Sequence, residues 1–96
     1  MSRVPRLDDV PKLAAKARLR FDRHSGKHLL VYPERGLELN ASAAAIVRRC
    51  DGTRTVRAIA LEVAGEAQAT ADEQAAIERD VTELVEELAR KGLLER

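Results

Sequence analysis

The stretch that most constrains this chain is Leu29–Gly52, LLVYPERGLELNASAAAIVRRCDG. Within it the apolar pattern changes period, and a period decides which element a segment can form. Alternation of apolar and polar side chains fits a strand, and recurrence at every third or fourth residue fits a helix. Leu29–Tyr32 is apolar on both faces, as in a central strand. Pro33-Glu34-Arg35-Gly36 has turn chemistry, because proline pre-sets φ and glycine relaxes it. Leu37–Asn40 alternates, with Leu37 and Leu39 inward and Glu38 outward. From about Ser42 to Cys50 the period becomes helical, with Ala43, Ile46, Val47 and Cys50 on one face, and Asp51-Gly52 stops the run.

The flanks extend this frame. Ala17–Arg23 alternates, with Ala17, Leu19 and Phe21 on one side, and the turn residues His24–Lys27 join it to His28–Tyr32 as an antiparallel hairpin. The chain therefore carries three short strands, and the sheet keeps an open edge unless something covers it. Asn40 or Ser42 is placed to cap the first helix, and Thr55 the second, about Val56–Glu66. Val56, Ile59, Ala60, Val63 and Ala64 make the stripe of that second helix. Thr70-Ala71-Asp72-Glu73 reads as a capping box for a third helix running to about Lys91, with Ile77, Val81, Leu84, Val85 and Leu88 as its stripe. Glu86/Arg90 and Glu87/Lys91 are spaced as favourable pairs, and Leu93-Leu94 is expected to fold back on the core. The fold class is α+β: a three-stranded antiparallel sheet followed by a three-helix bundle, winged-helix-like.

Ninety-six residues suffice for one domain. Residues 1–16 hold Pro5 and Pro11 among basic side chains and are expected to form a flexible arm, with the domain proper at 17–96. Phe21 and Tyr32 are the two aromatics, so the core must be aliphatic. Cys50 is the single cysteine, which excludes an intrachain disulfide and suits a cytoplasmic protein. No apolar run approaches the ~18 residues of a membrane helix, and the first residues lack the apolar core of a signal peptide.

The chemistry that residue types could carry is sparse. His24 and His28 have no spacing that makes a metal site, and Cys50 lies on an apolar helix face, where a thiol is structural. No phosphate-cradling glycine motif is present. The chain is read as a non-enzyme without a cofactor. Charge is segregated: residues 1–54 carry +6 and residues 55–96 carry −5. The third helix holds Glu73, Glu78, Asp80, Glu83, Glu86 and Glu87 against Arg79, Arg90 and Lys91, which opposes insertion into a nucleic-acid groove. An open strand edge beside an amphipathic helix instead suits β-augmentation, in which a peptide adds as a further strand. A nucleic-acid-binding winged-helix module and a self-associating module remain as alternatives.

Several of these segments also carry a resemblance. Leu19-Arg20-Phe21-Asp22, Leu30-Val31-Tyr32-Pro33-Glu34-Arg35, Leu39-Asn40 with Ala43 and Ile46, Cys50-Asp51-Gly52 with Thr55-Val56 and Ile59, then Asp80-Val81, Leu84, Leu88 and Gly92-Leu93 follow in order over about residues 8–95. In these the chain resembles the PqqD family of pyrroloquinoline quinone (PQQ) biosynthesis. The resemblance implies a peptide chaperone that binds the precursor peptide PqqA and presents it to the radical SAM enzyme PqqE, where the iron–sulfur chemistry resides. It implies a peptide-binding site on the third strand, at Gly36, Leu37, Glu38, Leu39 and Asn40. It also points to Val81, Leu84, Val85 and Leu88 of the third helix, which equally read as core. The expected state is a monomer or a dimer exchanging strands through a hinge at Pro33–Gly36.

Overall fold

The computed structural model describes residues 7–33 and 35–95. Six elements follow in order: β1 (Arg18–Asp22), β2 (Lys27–Tyr32), β3 (Arg35–Leu39), α1 (Ala41–Arg48), α2 (Val56–Glu66) and α3 (Ala71–Arg90). This is the expected α+β succession.

The strands form one antiparallel sheet in the order β1-β2-β3, so the apolar β2 is central. The β1–β2 turn is held locally. The Asp22 carboxylate accepts from the His24 amide at 2.9 Å and the Ser25 hydroxyl at 3.0 Å, and Gly26 takes φ +70°. Register places Leu19, Leu30 and Leu37 in one row across the sheet and Phe21, His28 and Leu39 in the next. Leu30 and Leu39 are buried, but Phe21 is 56% exposed. The inward place expected for Phe21 is thus corrected: it lies near the end of an edge strand, with its ring 4.9 Å from that of His28 rather than under a helix.

β3 begins two residues earlier than its sequence pattern implies. Arg35 and Gly36 continue the ladder opposite Tyr32 and Val31. α1 starts on Asn40, whose side-chain oxygen accepts the Ala43 amide at 2.7 Å. It ends at Arg48, two residues short of the expected Cys50, because the chain there turns to pair with an N-terminal segment: the Leu13 amide donates to the Cys50 carbonyl at 2.8 Å. Thr55 caps α2, and Thr70 and Glu73 complete the capping box of α3. Arg90 pairs with Glu86 at 2.8 Å, whereas Lys91 is the C-cap, beyond the last helical residue, and makes no ion pair with Glu87.

Two apolar clusters make the core. One joins α1, α2 and α3 through Ile46, Cys50, Val56, Ile59, Val63, Val81 and Val85. The other joins the sheet to the helices through Ala17, Leu30, Leu39, Val47, Leu88 and Leu93. Leu84 is half-buried and packs against both. The fold-back of Leu93-Leu94 is present, with Leu93 fully buried.

The expected arm over residues 1–16 divides. Residues 1–6 lie outside the described residues. Residues 7–14 belong to the domain: the Val56 amide donates to the Asp9 carbonyl, Arg57 to Leu7, Gly52 to Pro11, Ala14 to Leu93 and Glu95 to Lys12. Lys12 bridges to Asp51 and Leu13 to Leu94 as short extended pairs. Proline blocks a helix here, but an extended segment needs none, and its carbonyls still accept.

Candidate functional site

β3 is an edge strand, paired on one side with β2 and, among the described residues, free on the other. Which of its backbone groups are free follows from the turn. Tyr32 faces Arg35 across a two-residue connection. Residues that close such a tight hairpin exchange both backbone hydrogen bonds, and antiparallel pairs alternate thereafter. Arg35, Leu37 and Leu39 thus direct their backbone groups to β2, while Gly36 and Glu38 direct theirs outward. A strand laid along β3 would meet the amides and carbonyls of Gly36 and Glu38.

The side chains alternate in the same phase. Leu39 is buried, Leu37 half-buried, and Gly36, Glu38 and Asn40 are exposed. Glu38 lies on the solvent face of the sheet, 3.4 Å from Lys27. Asn40 is committed to the α1 cap, so its side chain has a structural task.

The third-helix residues split. Val81 and Leu88 are fully buried and Val85 is 3% exposed, so all three are core and offer no surface to a peptide in this conformation. Leu84 alone of the four is half-buried. The backbones of β3 and α3 stay more than 8 Å apart. Leu37 and Leu84 both pack on the apolar cluster beneath the sheet. Of the nine residues to which the resemblance points, these two leucines are the half-buried apolar ones. The core stripe and the groove stripe share one periodicity, so spacing alone could not separate them.

At the Arg35 end of β3 lies a cavity of about 450 Å³, lined by Lys16, Tyr32, Pro33, Arg35, Lys91 and Leu93. Sequence reasoning singled out none of these six as a site, because they come from three stretches of the chain that only the fold brings together. Cys50 is buried, and burial, with the neighbouring Asp51 charge, pushes its thiol up to about 12. Its Sγ donates to the Ile46 carbonyl at 3.4 Å. Such a thiol is a packing group, not a nucleophile. Among the described residues no three His, Cys, Asp or Glu side chains gather as metal ligands, and no helix is long and apolar enough to cross a membrane.

Comparison with known proteins places the fold in a family. The family model for coenzyme PQQ synthesis protein D (PqqD) matches residues 27–94. The chain is 44% identical over 94 residues to the "PqqA binding protein" of Xanthomonas oryzae pv. oryzae (strain PXO99A), covering 98% of each. It is 41% identical over 88 residues to the bifunctional coenzyme PQQ synthesis protein C/D of Methylorubrum extorquens, where the match covers 92% of this chain and 23% of that protein. Among solved structures, the solution structure of the PqqD truncation of Methylobacterium extorquens PqqCD superposes with a TM-score of 0.80 at 38% identity, over 96% of this chain and 95% of that one. That truncation is described as a stand-alone recognition element for ribosomally synthesized and post-translationally modified peptides. The crystal structure of PqqD from Xanthomonas campestris gives 0.59 at 38% identity, over 93% and 96%. Sequence, length and fold agree, and the chain belongs to the PqqD family.

Proposed function

We propose that this chain is a peptide chaperone of PQQ biosynthesis, which binds the precursor peptide PqqA as an added strand on β3 and presents it to the radical SAM enzyme PqqE. The carrying observation is the free edge of β3, where Gly36 and Glu38 turn their backbone groups away from the sheet and Leu37 between them is half-buried. Backbone pairing supplies affinity in this mode, and side-chain pockets supply selectivity. The full-length match to a PqqA binding protein and the likeness to a peptide-recognition element support it.

The chain contributes binding and positioning rather than bond-making. Its one thiol is buried and raised, and the cross-linking chemistry belongs to the enzyme. A lone buried thiol suits the cytoplasm, where reducing conditions prevail. The protein acts as a monomer or as a strand-exchanged dimer in this reading. A dimer exchanging the β1–β2 hairpin through Pro33–Gly36 would show as doubled mass in light scattering at rising concentration.

The test is calorimetric titration of synthetic PqqA into the protein, repeated with PqqE present. Saturable one-to-one binding, and a ternary complex with the enzyme, are expected. Absence of PqqA binding under both conditions contradicts the reading.

A further inference from the structure

We propose that the cavity at the Arg35 end of β3 is a carboxylate subsite, which selects an anionic group on the peptide that β3 takes up. The proposal rests on the strand-addition reading and adds a specificity determinant to it.

Three observations carry it. First, three cations converge from separate segments: Lys16 precedes β1, Arg35 opens β3, and Lys91 caps the C-terminus of α3. Among the described residues no acidic side chain shares the lining. Second, among the described residues none of the three is in an ion pair, so no described carboxylate neutralises the cluster, although Arg18, Arg20, Arg23, Arg48 and Arg79 are likewise unpaired. The carbonyl end of α3 favours a cation at Lys91 but supplies only a partial charge. Third, Arg35 follows the alternation of Leu37 and Leu39, which places it on the face of the sheet turned to the helices.

The surroundings strengthen an ionic contact. Leu93 is fully buried and Tyr32 half-buried, so the cavity has an apolar floor that excludes water from one side of the charges. A guanidinium binds a carboxylate through two parallel hydrogen bonds, and an ammonium adds a point charge without competing for that geometry. The location is also suitable. Arg35 adjoins Gly36, whose backbone faces outward, so a strand lying on β3 passes the cavity within about one residue of ~3.3 Å rise. The carboxylate could come from an acidic side chain of that strand or from the peptide's own C-terminus.

Fluorescence anisotropy on full-length protein tests this with three peptides: native PqqA, PqqA with every Asp and Glu changed to Asn and Gln, and PqqA with an amidated C-terminus. Each is titrated into the wild type and into a Lys16→Gln, Arg35→Gln, Lys91→Gln variant, whose folding is verified by circular dichroism. All three side chains are exposed. The wild type is expected to bind one neutralised peptide about tenfold more weakly than native PqqA, and the triple variant to lose that preference. Which neutralised peptide weakens identifies the carboxylate. Equal binding of all three peptides by the wild type overturns the subsite alone, as does an undiminished preference in the triple variant. Failure of native PqqA to bind the wild type overturns strand addition, and the subsite with it.

Discussion

Tyr32 and Arg35 face each other across a two-residue turn, and this pairing fixes the phase of the whole β3 edge. It assigns Gly36 and Glu38 to the free side and Leu37 to the β2 side. Proline removes one backbone donor, and a sheet tolerates it where that donor faces solvent. Glu38→Pro and Gly36→Pro are therefore expected to fold and to lose PqqA affinity at least tenfold. Leu37→Pro removes a ladder bond instead and is expected to lower the melting temperature. Circular dichroism melts with peptide titrations distinguish the two classes.

Leu84 and Leu88 lie four residues apart on α3 but belong to different environments. Leu88 is fully buried, so Leu88→Ala is expected to cost about 2–5 kcal/mol in urea unfolding. Leu84 is half-buried, so Leu84→Ala is expected to cost less stability and to weaken peptide binding. Equal effects of the two on affinity, once stability is matched, would contradict the assignment of Leu88 to core and Leu84 to groove.

Much of this fold was legible because local signals agreed with tertiary ones. Thr55 and Thr70 marked helix starts correctly, since a side-chain cap needs only its own backbone three residues on. The open edge at β3 followed from counting strands. What was not legible depended on distant segments. Residues 7–14 lack periodicity because their hydrogen bonds run to Cys50, Gly52, Val56, Arg57 and Leu93, far along the chain. Val81, Val85 and Leu88 share one periodicity with groove residues, and only the tertiary packing separates them: the first cluster encloses Val81 and Val85, and the second encloses Leu88. Arg35 looked like a turn residue because Pro33 and Gly36 bracket it, yet the register makes it the first residue of β3.

Asn40 joins β3 to α1 in a single residue, accepting the Ala43 amide at 2.7 Å. Asn40→Ala is expected to cost about 1 kcal/mol of stability. Asn40→Asp should retain the cap. Chemical denaturation of both variants checks this.

Cys50 gives a pH dependence of definite sign. Its thiol is raised from 9.0 to about 12 in the fold, so it stays protonated where the unfolded chain ionises. That contribution to stability is fully present below pH 9.0 and is lost as pH rises toward about 12. Cys50→Ala is expected to lose part of the alkaline decline. Thiol labelling of the wild type at neutral pH should be slow and should accelerate with denaturant.

At the acid end the sign reverses. Asp22 is lowered by hydrogen bonds from His24 and Ser25, Asp51 chiefly by Thr53, and Glu73 by the Thr70 amide that closes the α3 capping box. Each stabilises the fold above the usual carboxylate range, and each contribution is lost as pH falls through its lowered value. Glu73→Gln is expected to flatten the acid limb of the stability profile, measured by thermal melts between neutral and acid pH.

The most direct measurement is a titration of the labelled protein with PqqA while following backbone amide resonances. Strand addition predicts the largest shifts at Gly36 and Glu38, with slowed amide exchange there, accompanied by changes at Leu37 and Leu84. Binding with shifts confined to β1 or α2, and β3 amides unchanged, would contradict it.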